Sequence, residues 1–567
     1  MEWKTKDPLD VPRELETLSL NPITLQLLLQ RGFFSRSDAE RFLSAKYEDL
    51  HSSNGLAGMD EAIERIKRAK KENSRITIFG DYDADGITST VLLKDALAEI
   101  GIAVSTYIPD RNKEGYGLNK DAIDFIKKEY DPKLIVTVDC GISNRDEIAY
   151  ARELGIEAIV IDHHAVPKKI PEQSILINPK FPNQKYSFRD LAGVGVTFKF
   201  CRALWEEFCP KKIEKLKWFL DIVAIGTIAD CVPLVDENRI FAKFGLVVLQ
   251  KTKRVGIQEI IKTARLNINE ANPPSAENIA FQIGPRLNAA GRMDHADITL
   301  NLLCENDPVR ARVAALELEG KNTERQKVSQ EVYDEVKATL EASTDYQLII
   351  RKGRHWPMGI LGVVAGKIAE EFHCPVFILR EGDVLLEGSG RSIEAFNLIE
   401  AVEQISGHLE KFGGHSQAMG IKIKPENLAA FEKGLLEIIE KNYNKDAWGK
   451  KLHIDAKVDF ARIDWDLISE IRKFEPFGEG NREPVFLTEN LIVREVKTVG
   501  NGQKHVKFIF GSDGSEKKLL EGIFFKGGSR ADEFRAGSRV SVVYNLRSNE
   551  WNGNRRIELN IIDLKSV

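Results

Sequence analysis

Three short runs rich in β-branched residues, SRITIF before Asp81, LIVTV before Asp139 and AIVI before Asp162, each stop at a cluster of acidic or imidazole side chains: GDYDADG, DCG and IDHH. That pattern restricts the fold more than any other feature of the chain. Ligands of an open parallel sheet collect at the carboxyl ends of its strands, so three clusters that each terminate a strand are expected to converge on one sheet edge. Between the runs lie the amphipathic segments TSTVLLKDALAEIG, NKDAIDFIKKEY and NRDEIAYARELG, the crossovers of a doubly wound α/β domain. A fourth acidic position, Asp230, ends the apolar helix-like segment FLDIVAIGTIAD.

Carboxylates gathered and buried without partners cost several kcal/mol each, so Asp81, Asp83, Asp85, Asp139 and Asp230 together demand a compensating cation. Oxygen ligands with one or two imidazoles, here His163 and His164, suit Mn²⁺ or Mg²⁺. No CxxC pair suggests a structural zinc, and the six cysteines show no disulfide spacing. A pair of such ions commonly serves in-line displacement at phosphorus. A single Asp-rich turn could be no more than a helix cap, but four acidic and imidazole clusters in one domain are hard to read as capping.

The 567 residues suffice for three or four domains, with 43% hydrophobic and 29% charged residues in an ordinary globular mixture. No stretch approaches a membrane span, and MEWKTKDPLD lacks the apolar run of a signal peptide, so a cytoplasmic protein is expected. Residues 491–567 hold 14 Lys plus Arg against 9 Asp plus Glu, in a chain whose net charge is −5. A basic end beside an acidic part suits a polyanion-handling enzyme, and equally a mixed solvated surface.

Residues 1–50 read as a helical segment and 51–306 as the catalytic α/β domain. Residues 307–342 form one long charged helix, 343–450 a second α/β domain with the strands YQLIIRK and CPVFILR, and 451–567 a barrel. The last assignment rests on five short strands, LIVREVKTVG, HVKFIFGS, KLLEGIFF, RVSVVYNL and RRIELNIIDL, the count of an OB-type fold. Phe474 and Phe477 are expected to pack the junction before that barrel. Tyr82, Tyr116 and Trp356 are candidates for stacking on bases, with core packing as the ordinary alternative.

Several motifs supply anion-binding groups. GPRLNAAGRM offers Arg286, Asn288 and Arg292 beside small residues, and Arg286 is the expected phosphate clamp. Ser389 and Arg391 of GSGRS are two apart and face one side of an extended segment. His415 follows a pair of glycines in GGHSQAMG, a candidate backbone nest.

Taken together, GDYDADG, PDRNKEGYGL, TVDCGIS, IDHH, IADCVPL, GPRLNAAGRM, GSGRS and GGHSQAMG resemble the DHH phosphoesterase superfamily and, within it, the RecJ family of single-strand-specific 5′ exonucleases. The resemblance covers roughly residues 50–567. It implies a DHH domain joined by the long helix to a DHH-associated domain, followed by an OB fold. It further implies two Mn²⁺ or Mg²⁺ ions held by Asp81, Asp83, Asp85, Asp139, His163, His164 and Asp230, with Asp139 bridging them and Asp162 orienting an imidazole from behind. Arg111 of PDRNKEGYGL would join Arg286, Ser389 and Arg391 in a terminal-phosphate pocket, and Tyr116, Asn288 and His415 would contact the strand. The implied activity is 5′→3′ degradation of single-stranded DNA to 5′-mononucleotides in recombination and repair, alongside a helicase and a single-strand-binding protein, and nothing in the sequence requires more than a monomer. Longer members carry a further C-terminal domain, and this chain ends shortly after the fifth barrel strand. Two other readings belong to the same superfamily: a phosphodiesterase of small nucleotides, which the barrel disfavours, and a silent binding scaffold, which the complete ligand set disfavours.

Overall fold

A computed structural model describes residues 2–111, 113–182, 184–341, 346–442, 451–513, 518–551 and 554–567. The expected domain boundaries at 342, 343 and 450 lie outside the described residues. Contacts divide the chain into two compact units, one of Met1–Leu50, Pro233–Lys243 and Lys451–Val567, the other of His51–Val232 and Phe244–Lys450. No described helix is long and apolar enough to cross a membrane.

The larger unit contains two sheets. The first is wholly parallel, with β1 (Ile76–Gly80), β2 (Val104–Tyr107), β3 (Leu134–Val138), β4 (Glu157–Ile161) and β5 (Ile175–Ile177) in the order β2-β1-β3-β4-β5. β1 and β3 are buried along their whole length, which is why they read as unbroken apolar runs. One face of the sheet, through Phe79, Ile135, Ala158 and Val160, packs on Ile123 and Ile126 of helix Lys120–Tyr130 and on Ile148 and Ala151 of Arg145–Glu153. The helices α1 (Ala84–Glu99) and α2 (Gly193–Phe208) contact the sheet and each other and cover the opposite side. This is the doubly wound arrangement expected from the crossovers. Its strand order reverses between β1 and β3, the switch point where such sheets bind ligands.

The apolar helix α3 (Leu220–Ala229) ends at Asp230, and α4 (Gly284–Met293) carries the GPRLNAAGRM motif. The long helix α5 (Pro308–Ala338) leads to the second sheet, made of β6 (Ile349–Gly353), β7 (Val376–Glu381), β8 (Leu386–Arg391), β9 (Leu409–Gly414) and β10 (Ala418–Ile423) in the order β9-β10-β8-β7-β6. Its core includes Phe377, Phe396 and Phe431 and the buried face of α6 (Met358–Phe372). Gly413 and Gly414 sit in the β9–β10 ladder opposite Gly420 and Met419, so the expected glycine nest is instead a hairpin arm.

The smaller unit holds a closed barrel of β11 (Phe486–Val499), β12 (His505–Gly511), β13 (Leu520–Phe524), β14 (Arg539–Trp551) and β15 (Asn554–Ser566). Pairing runs β11-β12-β13-β15-β14 and back to β11, antiparallel except for β13 with β15. All five strands were legible from their alternating pattern. The N-terminal segment is less purely helical than its sequence suggested: Glu2–Thr5 forms a strand parallel to Lys451–Ile454, and Leu27 and Leu28 share the barrel's core with Phe474 and Phe508. Pro233–Lys243, read from sequence as part of 51–306, packs in this unit because Arg239, 2% exposed, gives its guanidinium hydrogens to the carbonyls of Phe42, Lys473 and Glu475.

Candidate active site

All seven expected ligands converge at the switch point. Asp81 follows β1, and Asp83 caps α1 by accepting from the amides of Asp85 and Gly86 at 2.9 and 3.1 Å. Asp85 points back toward the N-terminus of α2, where Gly193 and Val194 donate backbone N–H groups to its two oxygens at 2.7 and 2.8 Å. A carboxylate is stabilised there by the unpaired amides and the helix dipole. Gly193 must be glycine: a β-carbon on it would lie 2.5 Å from Asp139 Oδ1. Asp139, just beyond β3, adopts φ 61, a left-handed conformation that costs a non-glycine residue roughly 1–3 kcal/mol and that collects at functional sites.

His163 Nε2 lies 3.2 Å from Asp139 Oδ1, 3.6 Å from Asp230 Oδ2 and 4.0 Å from Asp85 Oδ2. Three sets of side chains are close enough to share an ion: Asp81, Asp83 and Asp139; Asp139, His163 and His164; and Asp85, His163 and Asp230. Asp139 and His163 each belong to two of them. Buried oxygens Asp81 Oδ1 and Asp139 Oδ1 have no hydrogen-bond partner. Orphaned carboxylate oxygens within reach of imidazoles fit a divalent cation.

Asp162 plays a different part. Its Oδ1 accepts from the amides of His163 and His164 and meets His164 Nδ1 at 2.8 Å, while Oδ2 accepts from the Ile142 amide at 3.0 Å. Both oxygens of this carboxylate are thus spent on orienting its neighbours, the His164 ring among them.

The electrostatics follow from burial. Desolvation, then repulsion from neighbouring carboxylates, pushes Asp81, Asp139 and Asp230 well above the usual carboxylate range and Asp85 up to about 7. Burial, with the charge of His164, lowers His163 to about 3, so it presents a lone pair at neutral pH. Asp162 is also desolvated, yet the hydrogen bond and charge of His164 hold it down to about 2.

Beside this acidic centre lies an arginine cluster. The Arg111 guanidinium stacks 4.9 Å from the Tyr82 ring centroid. Arg292 donates to the Gly359 carbonyl at 2.9 Å and Arg391 to the Gly390 carbonyl at 2.8 Å. Burial, then the positive charges of Arg111, Arg325 and Arg391, lowers Arg292 to about 10. Arg391 is lowered by burial and by Arg111. None of Arg111, Arg292 and Arg391 pairs with a described carboxylate, so the cluster is a ready anion site. Ser389 shares the outward face of β8 with Arg391, and both stand over Gly362, where a β-carbon would meet Arg391 Nη2 at 2.5 Å.

Two expected phosphate contacts are otherwise engaged. Arg286 forms a two-pronged ion pair with Glu319 of α5 at 2.5 and 3.0 Å and also donates to the Gln282 carbonyl, so it braces α4 against α5 and is not available as a clamp. Arg292, six residues on, has no carboxylate partner among the described residues. Asn288 Oδ1 accepts from the Ala84 amide at 2.7 Å and ties α4 to the start of α1. Tyr116 contacts the centre directly, its hydroxyl 3.1 Å from His164 Nδ1 and donating to the Asp139 carbonyl at 3.3 Å. His415 is exposed, and partial burial with the charges of His164 and Lys180 lowers it. Trp356, only 5% exposed and bonded to Glu335, is core. Phe474 is buried as expected.

Three residues escaped the sequence reading. Glu114 accepts from Tyr107 Oη at 2.9 Å, the Asp110 amide at 2.7 Å and Asn119 Nδ2 at 3.2 Å, pinning the loop that bears Arg111 and Tyr116. Asn178, beyond β5, donates to the His164 carbonyl and accepts from the Lys180 amide, which holds Lys180 at the same sheet edge. The available signal was positional: NPK follows the ILI strand as the other motifs follow theirs.

A carboxylate–imidazole centre at the switch point of this sheet, with an arginine cluster beside it, defines a DHH-type protein, and residues 75–227 match the DHH family, N-terminal domain. Residues 345–441 match the DHHA1 domain and 454–563 the RecJ OB domain. The chain is 37% identical over 568 residues to the single-stranded-DNA-specific exonuclease RecJ of Bacillus subtilis strain 168, covering 99% of this chain and 70% of that protein. Against the protein of the same name from Escherichia coli K12 it is 31% identical, covering 98% and 96%. The crystal structure of RecJ in complex with Mn²⁺ from Thermus thermophilus superposes with a TM-score of 0.83 at 27% identity, covering 100% of this chain and 79% of that one. This chain belongs to the RecJ family.

Proposed function

We propose that this chain is a metal-dependent exonuclease that hydrolyses single-stranded DNA from its 5′ end and releases 5′-mononucleotides. The observation that carries the reading is the adjacency of two unneutralised clusters, buried carboxylates on one side and unpaired arginines on the other. Asp81, Asp83, Asp85, Asp139, His163, His164 and Asp230 would hold two Mn²⁺ or Mg²⁺ ions. Such ions, when bound, acidify a water and offset charge developing on phosphorus and the leaving oxygen.

The chain's own residues do the rest. Arg111, Arg292, Ser389 and Arg391 grip the terminal phosphate, and that fixed end sets which phosphodiester lies over the carboxylates. His163 stays neutral because it is buried, and Asp162 fixes the ring of His164. Tyr116 and His415 flank the histidines as strand contacts, with Lys180 beside them. The barrel holds the incoming strand through backbone charge and stacking.

On this reading the chain divides into 1–50, 51–306, 307–342, 343–450 and 451–567, with Pro233–Lys243 packing in the barrel's unit. A cytoplasmic monomer working with a helicase and a single-strand-binding protein in recombination and repair is part of the same proposal and rests on the family alone.

The test follows product release over time from a 3′-labelled, 5′-phosphorylated single strand and its duplex, with Mn²⁺ and with EDTA. Shortening from the 5′ end, confined to the single strand and abolished by EDTA, is expected. Tight binding without shortening would make the chain a scaffold and sink the proposal.

A further inference from the structure

The larger unit concentrates positive charge at a place remote from its carboxylate centre. Pro210–Phe219 holds four lysines against one glutamate, and residues 251–254 add three cations and no acid, in a chain whose net charge is −5. Some of this charge is answered locally: Lys212 pairs with Glu99 at 3.2 Å, Lys217 with Glu214 at 2.8 Å and Arg254 with Asp95 at 2.7 Å. The remainder is not. Lys211, Lys215, Lys251 and Lys253 are exposed and make no ion pair with a described residue.

The two segments are fixed to one another around an aromatic ring. Pro210–Phe219 is a 3₁₀-helix anchored by the fully buried Leu216. Thr252 donates its hydroxyl hydrogen to Asp221 Oδ2 at 2.6 Å, and the Arg254 guanidinium lies 5.3 Å from the Phe219 ring centroid, so residues 251–254 are held against the start of α3. Lys253 Nζ then stands 5.4 Å from the ring centroid of Trp218, which is 51% exposed. Side chains three apart eclipse in a 3₁₀-helix, about 6 Å from one to the next, so Lys212, Lys215 and Trp218 form a single column with charge at one end and a ring at the other.

Helices α2 and α3 set the distance of this column from the carboxylates. Gly193, at the start of α2, bonds Asp85, and Pro210–Phe219 follows the other end of that helix, whose 16 residues span about 24 Å. From the column α3 runs back to Asp230 over about 15 Å. A nucleotide held at the carboxylates therefore does not touch Trp218. Clustered like charges destabilise a folded chain by self-repulsion, and here nothing in the protein offsets those of the four lysines, so the arrangement calls for an anion from outside.

We infer that this face of the larger unit is a second nucleic-acid surface, in which Lys211, Lys215, Lys251 and Lys253 take backbone phosphates of a strand other than the one held at the carboxylates, while an unpaired base of that strand lies on Trp218. The inference goes beyond the proposed cleavage and does not depend on it. Phosphates and a planar base match lysines and a ring set in one column. A duplex keeps its bases stacked inside and offers the ring nothing, a run of carboxylates could use the lysines but leaves the ring unmatched, and a bilayer needs a broader apolar face than one side chain provides.

The test uses the full chain in EDTA and reads the acetylation of individual lysines by mass spectrometry, with oligothymidylate, an abasic strand of equal length, poly-aspartate or phosphatidylglycerol vesicles. Oligothymidylate is expected to protect Lys211, Lys215, Lys251 and Lys253 together. Trp218→Ala should raise the oligothymidylate concentration for half-protection about tenfold and leave that of the abasic strand nearly unchanged, while Trp218→Phe stays close to the parent. Lys211→Ala with Lys215→Ala should lower the slope of log half-protection against log salt, read at Lys251 and Lys253, by about 1.4. No protection of these lysines by oligothymidylate, or an equal effect of Trp218→Ala on both strands, would overturn the inference. So would protection by poly-aspartate or by vesicles but not by oligothymidylate. Strand shortening with Mn²⁺ on the same preparations reports separately on the proposed activity, so protection without turnover would defeat that reading and leave the second surface in place.

Discussion

The acidic centre and the arginine cluster are neighbours built on opposite charge but the same imbalance, and they respond to it differently. Buried carboxylates can relieve their repulsion by taking up protons, and Asp81, Asp85, Asp139 and Asp230 are all shifted in that direction. Arginine has no comparable escape at neutral pH, so Arg111, Arg292 and Arg391 stay charged in one another's field. The acidic side is thus adjustable and waits for cations, whereas the basic side is permanent and waits for an anion. A metal-dependent enzyme acting on the end of a polyanion needs both, since the first must load and exchange ions while the second must recognise phosphate at any working pH.

The largest effect is expected from removing one charge on the acidic side. Asp139→Asn keeps a side chain that tolerates the left-handed backbone yet withdraws a ligand shared by two of the three ion-holding sets. Cleavage should fall by roughly 10³-fold or more, with single-strand binding in EDTA unchanged. Equal loss of binding and cleavage would mean that Asp139 shapes the fold more than the chemistry.

On the basic side, Arg391→Ala should erase the preference for a 5′-phosphate over a 5′-hydroxyl end, roughly a 10- to 100-fold change in kcat/KM on the phosphorylated strand alone. Arg286→Ala provides the contrast. Because its guanidinium is committed to Glu319, that preference should survive, and the loss should appear as about 1–2 kcal/mol of stability. Reversal of the two outcomes would return Arg286 to the pocket.

A smaller effect separates the adjustable side by pH. A carboxyl whose folded pKa is raised binds a proton that the unfolded chain releases, so its contribution is complete below about pH 4 and is lost as pH rises through the folded value, about 7 for Asp85. His163, lowered to about 3, acts in the opposite sense, gaining stability as pH rises toward its unfolded value near 6.5. Four raised carboxyls outweigh one imidazole. Thermal unfolding with and without Mn²⁺ should therefore show metal stabilisation growing by a few degrees between about pH 5.5 and 8. A constant increment across that range would argue that the carboxylates are already ionised without metal.

Legibility in the sequence followed the range of the interactions involved. Asp81, Asp139, His163 and His164 could be read because each closely follows a strand whose apolar run is itself a local signal, and Asp230 because it ends an apolar helix. The five barrel strands were equally plain. Arg286 and Arg292 lie in one ten-residue helix with similar neighbours, and nothing local distinguishes them. Their surroundings diverge because Glu319, on another helix, pairs with the first, while the second has no carboxylate partner among the described residues. Glu114, Asn178 and the pairing of Glu2–Thr5 with Lys451–Ile454 were hidden for the same reason.

By itself, then, the sequence determined which side chains stand at the ends of which strands, since strand period and turn chemistry act over a few residues. Only the tertiary structure decided which charges remain unpaired, because neutralisation depends on partners tens to hundreds of residues away, and those unpaired charges are the ones free to bind a ligand.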